Sequence, residues 1–162
     1  MLDAQVEDTL STLTPGAEVG VSPWLTVSQT MIDDFGHATL DADPMHMDPE
    51  WAEANSPYRD TIAFGFLTIS LLTHLMHGSM GVQGALDPRR SGYYLNYGFD
   101  RVRLVAPVRT GSRVRGCFKL LERKTDERGR LITTFDCRVE IEGESRPALV
   151  AQWLTVWVPP NT

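Results

Sequence analysis

The clearest pattern lies in the C-terminal half, where Leu131, Thr133, Phe135, Cys137, Val139 and Ile141 alternate with Ile132, Thr134, Asp136, Arg138, Glu140 and Glu142. A period of two with one apolar face predicts a half-buried strand. Val114, Gly116, Phe118 and Leu120 alternate likewise, as do Ala148, Val150, Leu154 and Val156 apart from Gln152. Asp126-Glu127-Arg128-Gly129 and Glu142-Gly143-Glu144 are the turn signals between these runs. Tyr93 to Val105 reads as a further strand, with Gly98 marking a bulge.

The first half has a different rhythm. Glu18 to Val27 suits a strand interrupted at Pro23. Ser28 is placed to cap a helix, and Met31, Ile32, Phe35 and Ala38 continue at helical spacing to about Thr39, with Asp33 and Asp34 in the first turns. Thr61 to Met76 is apolar around most of its circumference, the pattern of a buried helix. Residues 1–16 end in Pro15-Gly16 with little periodicity and read as a short lead-in that packs loosely or extends along a partner, while His77 to Gly92 holds four glycines and one proline and reads as a loop. One long buried helix and about five strands, mostly meander-connected, make an α+β design with an antiparallel sheet wrapped around the helix. Periodicity leaves the choice among α+β folds open.

Length and charge narrow the classes. A chain of 162 residues is expected to be a single domain, 1–162, able to bury roughly 70% of its unfolded surface. Cys117 and Cys137 fall inside predicted strands without a Cys or His at metal-ligand spacing, so both read as sheet residues. Met1 to Leu13 lacks the basic and apolar regions of a signal peptide, and the longest apolar run is too short and too interrupted to span a bilayer. A cytoplasmic protein with no membrane partner is expected. The net charge of −6 argues against nucleic-acid binding. Basic residues gather in the second half, among them Arg101, Arg103, Arg113 and Arg115; singly they read as solvated strand faces, and as a group they are candidates for holding phosphates.

The chemistry concentrates in Leu40-Asp41-Ala42-Asp43-Pro44-Met45-His46-Met47-Asp48-Pro49. The prolines bias Asp43 and Asp48 away from the helical region, which predicts a shaped loop. Asp41 and His46 are five apart and do not share a face of a regular helix, so their cooperation requires the loop to fold back. Asp48 before Pro49 reads as the cap of a short helix over 50–54. Gly65 lies near the start of the apolar helix, where unpaired N–H groups donate to an anion or a polarised carbonyl. By themselves Asp41 reads as a turn carboxylate and His46 as a surface or packed histidine. His37, His74 and His77 are isolated, and His74 is expected in the core. No His, Glu or Asp grouping has metal-site spacing, so no metal is expected. Tyr93, Tyr94, Tyr97, Trp153 and Trp157 read as strand packing rather than a ligand box.

The two segments together resemble the MaoC-like dehydratase family of hot-dog-fold proteins, whose motif runs approximately Gly-Asp-x-Asn-Pro-x-His-x-Asp-Pro and is followed by Ala-His-Gly-Phe-Leu-Thr. Here the second segment is Ala63-Phe64-Gly65-Phe66-Leu67-Thr68. Leu95 to Val108 with Gly111-Ser112-Arg113-Val114-Arg115 resembles the NodN-like branch. The resemblance covers about residues 18–158 and has three departures: Leu40 for glycine, Asp43 for asparagine and Phe64 for histidine.

The resemblance implies a hot-dog homodimer and a cofactor-independent hydro-lyase, an (R)-specific enoyl-CoA hydratase or 3-hydroxyacyl-thioester dehydratase. Coenzyme A or acyl carrier protein would carry the substrate. It maps water activation onto Asp41 and His46 and thioester polarisation onto Gly65. In the hydration direction Asp41 takes a proton from water and His46 protonates the α-carbon, with shared or reversed roles left open. Asp43, Phe64 and Phe66 are the candidate substrate-binding residues. Asp43 is read as structural or as a second negative charge beside the pair, and Phe64 as widening hydrophobic recognition or removing a contact the ordinary reaction uses. Two other readings compete: a hot-dog acyl thioesterase in which Asp41 activates water against the carbonyl, and a non-catalytic acyl-binding accessory protein in which Phe64 marks a lost activity. The Asp-x4-His pairing favours hydration over hydrolysis, and intact Asp41 and His46 speak against a lost activity.

Overall fold

Alternation and caps translate into elements almost where they were expected. The computed structural model describes residue 10, residues 12–82 and residues 92–159. The interrupted first strand is two pieces, β1 (Glu18–Val21) and β2 (Leu25–Thr26), either side of Pro23. Ser28 caps α1 (Gln29–Thr39) by accepting the Met31 N–H at 3.2 Å. Two short helices follow, α2 (Pro44–Met47) and α3 (Pro49–Asn55), then α4 (Gly65–Ser70) and α5 (Leu72–Ser79). The remaining strands are β3 (Tyr93–Leu104), β4 (Arg113–Thr125), β5 (Leu131–Ile141) and β6 (Leu149–Val158).

These strands form one antiparallel sheet in the order β1-β4-β5-β6-β3, with β2 also pairing with β4. From β4 to β6 the sheet is the expected meander, and β3 lies at the edge beyond β6. The bulge predicted at Gly98 appears as a register shift between Asn96 and Gly98. The apolar face of the sheet, with Phe118, Leu120, Phe135, Val139 and Leu149, closes on Leu67, Leu72, Leu75 and Met76 of α4 and α5. Cys137 is buried in this core, and burial pushes its thiol up to about 12, which makes it an inert packing residue.

Several expectations need correction. The Asp/His segment is not all loop, because Asp43 caps a helical turn over Pro44–Met47. The first turn of α1 holds no acidic residue; Asp33 instead accepts a hydrogen bond from Gln29 Nε2 at 2.7 Å. The apolar helix begins only at Gly65 and is divided at Leu71. It is not buried all round: Phe66 is 74% exposed, Ser70, Thr73 and His74 are exposed too, and His74 is therefore not a core histidine. His77 to Ser79 belong to α5 rather than to a loop; residues 83–91 of the predicted loop lie outside the described residues. Most of the lead-in also lies outside them, but Leu10 is 2% exposed in the core and its carbonyl accepts from the Arg123 guanidinium, so that contact is tight.

Candidate active site

The Asp/His segment is shaped by a chain of short caps. Helix α1 ends when Leu40 adopts the left-handed conformation, φ 59° and ψ 29°, its N–H turned to the carbonyls of Gly36 and His37. That conformation favours glycine, which accounts for the residue the family motif carries at this position; here a leucine bears the strain, 92% exposed. Asp41 is exposed, its N–H bonded to Gly36 O at 3.0 Å and its Oδ1 accepting the Asp43 N–H at 3.3 Å. Asp43 caps α2 by accepting the Met45 N–H at 2.9 Å. A cap of this kind needs only an acceptor, so aspartate serves where the motif has asparagine. Asp48 caps α3 through the Trp51 N–H at 2.9 Å, as its place before Pro49 predicts. A Cβ on Gly36 would run into Met47 Sδ, so that glycine lets α2 seat closely on α1.

The turn of α2 carries His46 to the segment before α4. His46 Nδ1 lies 2.7 Å from Ile62 O. A carbonyl only accepts, so Nδ1 carries the hydrogen and Nε2 is the nitrogen left for other chemistry. The His46 ring packs on Phe64 with centroids 4.0 Å apart, and Phe64 packs on Phe35 at 5.4 Å. Phe64 is 4% exposed. The residue that departs from the motif therefore fixes the plane of the histidine from below. The segment under the ring is itself anchored: Ala63 N–H bonds to Val108 O at 2.7 Å and Thr110 N–H to Thr61 O at 3.0 Å.

Gly65 follows Phe64 directly and opens α4, whose first N–H groups have no side-chain cap. They are oriented donors without an intrahelical acceptor. A Cβ on Gly65 would meet Leu104 Cδ1 at the end of β3, so the glycine also admits that strand. The structure thus brings His46, Phe64 and Gly65 together. Asp41 and Asp43 stand on the flank, and among the described residues no hydrogen bond or ion pair joins the Asp41 carboxylate to His46. Phe66 lies on the exposed side of α4.

Two residues that sequence reading passed over hold this arrangement. Gln29 Nε2 donates to His46 O at 2.8 Å, and Gln29 Oε1 accepts from the fully buried Thr61 hydroxyl at 2.5 Å. One amide therefore ties α1, the His46 turn and the segment leading to α4. Its local bond to Asp33 does not mark Gln29 for this role, because the partners that tie the site together are 17 and 32 residues away. The second omission is a cavity of about 250 Å³ between α5 and the sheet, walled by Met76, His77, Tyr94, Phe135, Trp153 and Trp157 among others. Tyr94 and Trp157 pack as expected, centroids 4.8 Å apart, yet also line this space. Burial, and secondarily the neighbouring His74, lower the His77 imidazole below its ordinary 6.5. Among the described residues no group of three His, Cys, Asp or Glu is placed to hold a metal ion, and no helix is long and apolar enough to cross a membrane.

Comparison with known proteins agrees with this geometry. The family described as MaoC like domain matches residues 11–138. The chain is 49% identical over 141 residues to nodulation protein N of Rhizobium leguminosarum bv. viciae, covering 87% of this chain and 84% of that one. It is 38% identical over 143 residues to 3-hydroxyacyl-thioester dehydratase Z of Mycobacterium tuberculosis, covering 88% of this chain and 90% of that one. Among solved structures, an (R)-hydratase from A. caviae involved in PHA biosynthesis superposes with a TM-score of 0.68 at 19% identity, covering 89% of this chain and 96% of that one. A sheet of this order closed on α4 and α5, with the His46 turn at the start of α4, is the hot-dog arrangement, and the chain belongs to the MaoC-like dehydratase family.

Proposed function

We propose that the protein is a hydro-lyase that reversibly adds water to trans-2-enoyl thioesters to give (R)-3-hydroxyacyl thioesters. The observation that carries the reading is His46. Its Nδ1 is committed to Ile62 O and its ring packs on Phe64, the residue that precedes the uncapped start of α4, which leaves Nε2 for the substrate. In the hydration direction the thioester oxygen accepts hydrogen bonds from the α4 N–H groups at Gly65, where negative charge develops. The Asp41 carboxylate takes a proton from water, the resulting hydroxide bonds to the β-carbon, and His46, entering the step protonated at both ring nitrogens, delivers its Nε2 proton to the α-carbon; Asp41 is left protonated and His46 neutral, and proton exchange with solvent resets the pair. The reverse reaction returns each proton to its source: neutral His46 Nε2 removes the α-proton and Asp41 protonates the departing hydroxyl. Asp43 contributes by shaping the turn, and Phe64 by aligning His46 and presenting an apolar wall.

The substrate is carried by coenzyme A or acyl carrier protein, and the steps use no resident cofactor. The acyl chain runs between α4–α5 and β3, where Leu104 touches Gly65 at one end of the strand. The active unit is a homodimer in the cytoplasm. β3 supports the dimer: it is a 12-residue edge strand on which Tyr93, Leu95, Tyr97 and Phe99 stand 38 to 55% exposed, and a second copy would cover that surface. The likeness to nodulation protein N, whose name declares no reaction, supports a second reading in which the site binds acyl thioesters without turnover.

The test is incubation of the purified protein with crotonyl-CoA and a longer trans-2-enoyl-CoA, following the conjugated-enoyl absorbance and free thiol together. Loss of absorbance without thiol release, abolished in Asp41→Asn and His46→Ala, is the expected result. Thiol release would move the reading to a thioesterase, and binding without either change would leave the second reading standing.

A further inference from the structure

The acid/base chemistry at His46 makes no use of the basic run that follows β3. Residues 101–115 hold five arginines and no Asp or Glu, in a chain whose net charge is −6. The structure divides the five. Arg113 is paired with Glu142 at 2.8 Å and Arg115 with Glu140 at 2.8 Å, and both guanidinium groups lie over the Trp24 ring. Arg101, Arg103 and Arg109 are exposed, and among the described residues none of them forms an ion pair. Asp100 precedes the run and pairs with none of the three. Arg103 Nη1 donates to the neighbouring Val102 O at 2.8 Å, a carbonyl that leaves the charge uncompensated.

These three arginines stand at the rim of the candidate site. Leu104, next to Arg103, touches Gly65 at the start of α4. Val108, next to Arg109, is 3% exposed and its carbonyl accepts from the Ala63 N–H. Arg109 itself forms a bridge with Ile62, whose carbonyl holds His46. The apolar side chains of the segment therefore close on the site, and the arginines beside them face solvent. Bridge partners lie about 5 Å apart between Cα atoms, and Ile62 is three residues before Gly65, at most about 11 Å away. The Arg109 backbone is thus within about 16 Å of Gly65, and Arg103 is nearer through Leu104. The pantetheine arm of coenzyme A has about 13 bonds from sulfur to the first phosphorus, about 16 Å at about 1.2 Å per bond when extended. A thioester held at Gly65 can bring its phosphates to these guanidinium groups.

We propose that Arg103 and Arg109, with Arg101, hold the phosphates of coenzyme A, so that the handle of the substrate is coenzyme A rather than a carrier protein. Coenzyme A presents a pyrophosphate and a ribose phosphate to three uncompensated cations, whereas the arm of a carrier protein presents a single phosphodiester. Guanidinium groups bind phosphate through paired, charge-assisted hydrogen bonds. This rests on the acyl-thioester reading above and adds the chemistry of the handle.

The experiment compares trans-2-hexenoyl-CoA with trans-2-hexenoyl-pantetheine, which lacks every phosphate. The expected wild-type kcat/KM is about 50-fold higher for the coenzyme A ester, with the difference in KM. Arg103→Gln combined with Arg109→Gln should lower the coenzyme A value about 20-fold and the pantetheine value less than about twofold. Arg128→Gln, which removes an exposed cation from the turn between β4 and β5, should change neither by more than about twofold. Raising NaCl from about 50 mM to about 0.5 M should raise KM about fivefold for the coenzyme A ester and less than about twofold for the other, because screening acts only between charges. Equal wild-type values, or a double variant that lowers both alike, would overturn the proposal, as would a higher kcat/KM with the hexenoyl group on an acyl carrier protein. Should the double variant not fold, the salt dependence decides. If neither thioester is hydrated, the hydro-lyase reading fails, and calorimetry with hexanoyl-CoA and hexanoyl-pantetheine decides this one separately: tighter binding of the coenzyme A ester, lost in the double variant, supports it and equal affinity overturns it.

Discussion

The two ends of the divided helix α4–α5 are built by opposite means. Near Gly65 the direction of the chain is set by local caps, Leu40 closing α1, Asp43 capping α2 and Asp48 capping α3, each bonding within four residues of itself, and only the assembled pieces are tied from afar by Leu104, Val108 and Thr110. At Met76 and His77 the surroundings come from β3, β5 and β6, brought together only by the sheet. The first end is polar and partly open, the second aromatic and mostly enclosed. Reactive groups can be aimed by short caps, because a cap fixes backbone direction over a few residues. A cavity needs walls from several elements, so its shape is a property of the whole fold.

If this contrast is right, the largest effect should come from the local end. His46→Ala should lower kcat at least 10²-fold, up to about 10⁴-fold, with the fold intact by circular dichroism, since a positioned acid/base is worth that much. Asp41→Asn, which keeps the size of the side chain and its acceptor for the Asp43 N–H, should fall in the same range. Unchanged turnover in either variant would detach the chemistry from this segment.

Next in size is the tie that crosses between regions. Gln29→Leu removes the hydrogen bond to His46 O and leaves the buried Thr61 hydroxyl without its acceptor. Stability should drop by about 1 to 3 kcal/mol in urea titration. The informative readout is kinetic: kcat should fall roughly 10- to 100-fold while KM stays within about threefold, because a displaced His46 turn affects proton transfer more than acyl binding. A purely structural role would lower the concentration of folded enzyme and leave the kcat of what remains unchanged.

How much the sequence disclosed follows the same division. The strands were legible because period-two alternation records which face meets the core, and Ser28, Asp48 and the turns at Gly129 and Gly143 were legible because a cap or turn is written in adjacent residues. His46, Phe64 and Gly65 were legible as a motif, though not the tautomer of His46, which depends on the Ile62 carbonyl 16 residues on. The helical turn at Pro44–Met47 was hidden because the prolines signalled extended backbone at Asp43, which is correct, and Asp43 then serves as the cap. The exposed stripe on α4 was hidden because Phe66 is apolar and periodicity assigns apolar residues to the core. Gln29 and the Trp153 cavity were out of reach, since each is defined by partners distant in the chain.

A smaller effect tests the strain at the end of α1. Leu40 pays for the left-handed conformation without gaining burial. Leu40→Gly should raise stability by about 1 kcal/mol, read as an increase in Tm of about 2 to 4 °C for a chain of this size. Turnover should change less than about twofold, because the Asp41 N–H keeps its bond to Gly36 O. A loss of stability would mean that the leucine side chain meets something the free chain does not show, such as a second copy of the chain.

The smallest effect comes from the cavity end and concerns pH. Burial first, and then the charge of His74, lower the His77 imidazole from 6.5. The folded state therefore binds fewer protons than the unfolded state over the interval just below that value. Stability is complete above the unfolded value and is lost as pH falls through the folded one. His77→Gln removes the titration and keeps polar atoms in the wall, so its stability should lose this component of the pH slope. Urea midpoints measured at intervals from pH 7.5 down to pH 5 should show the wild type declining more steeply than the variant, the two curves converging on acidification if the wild type begins higher. Parallel curves across that interval would mean that the imidazole is hydrated in the folded protein.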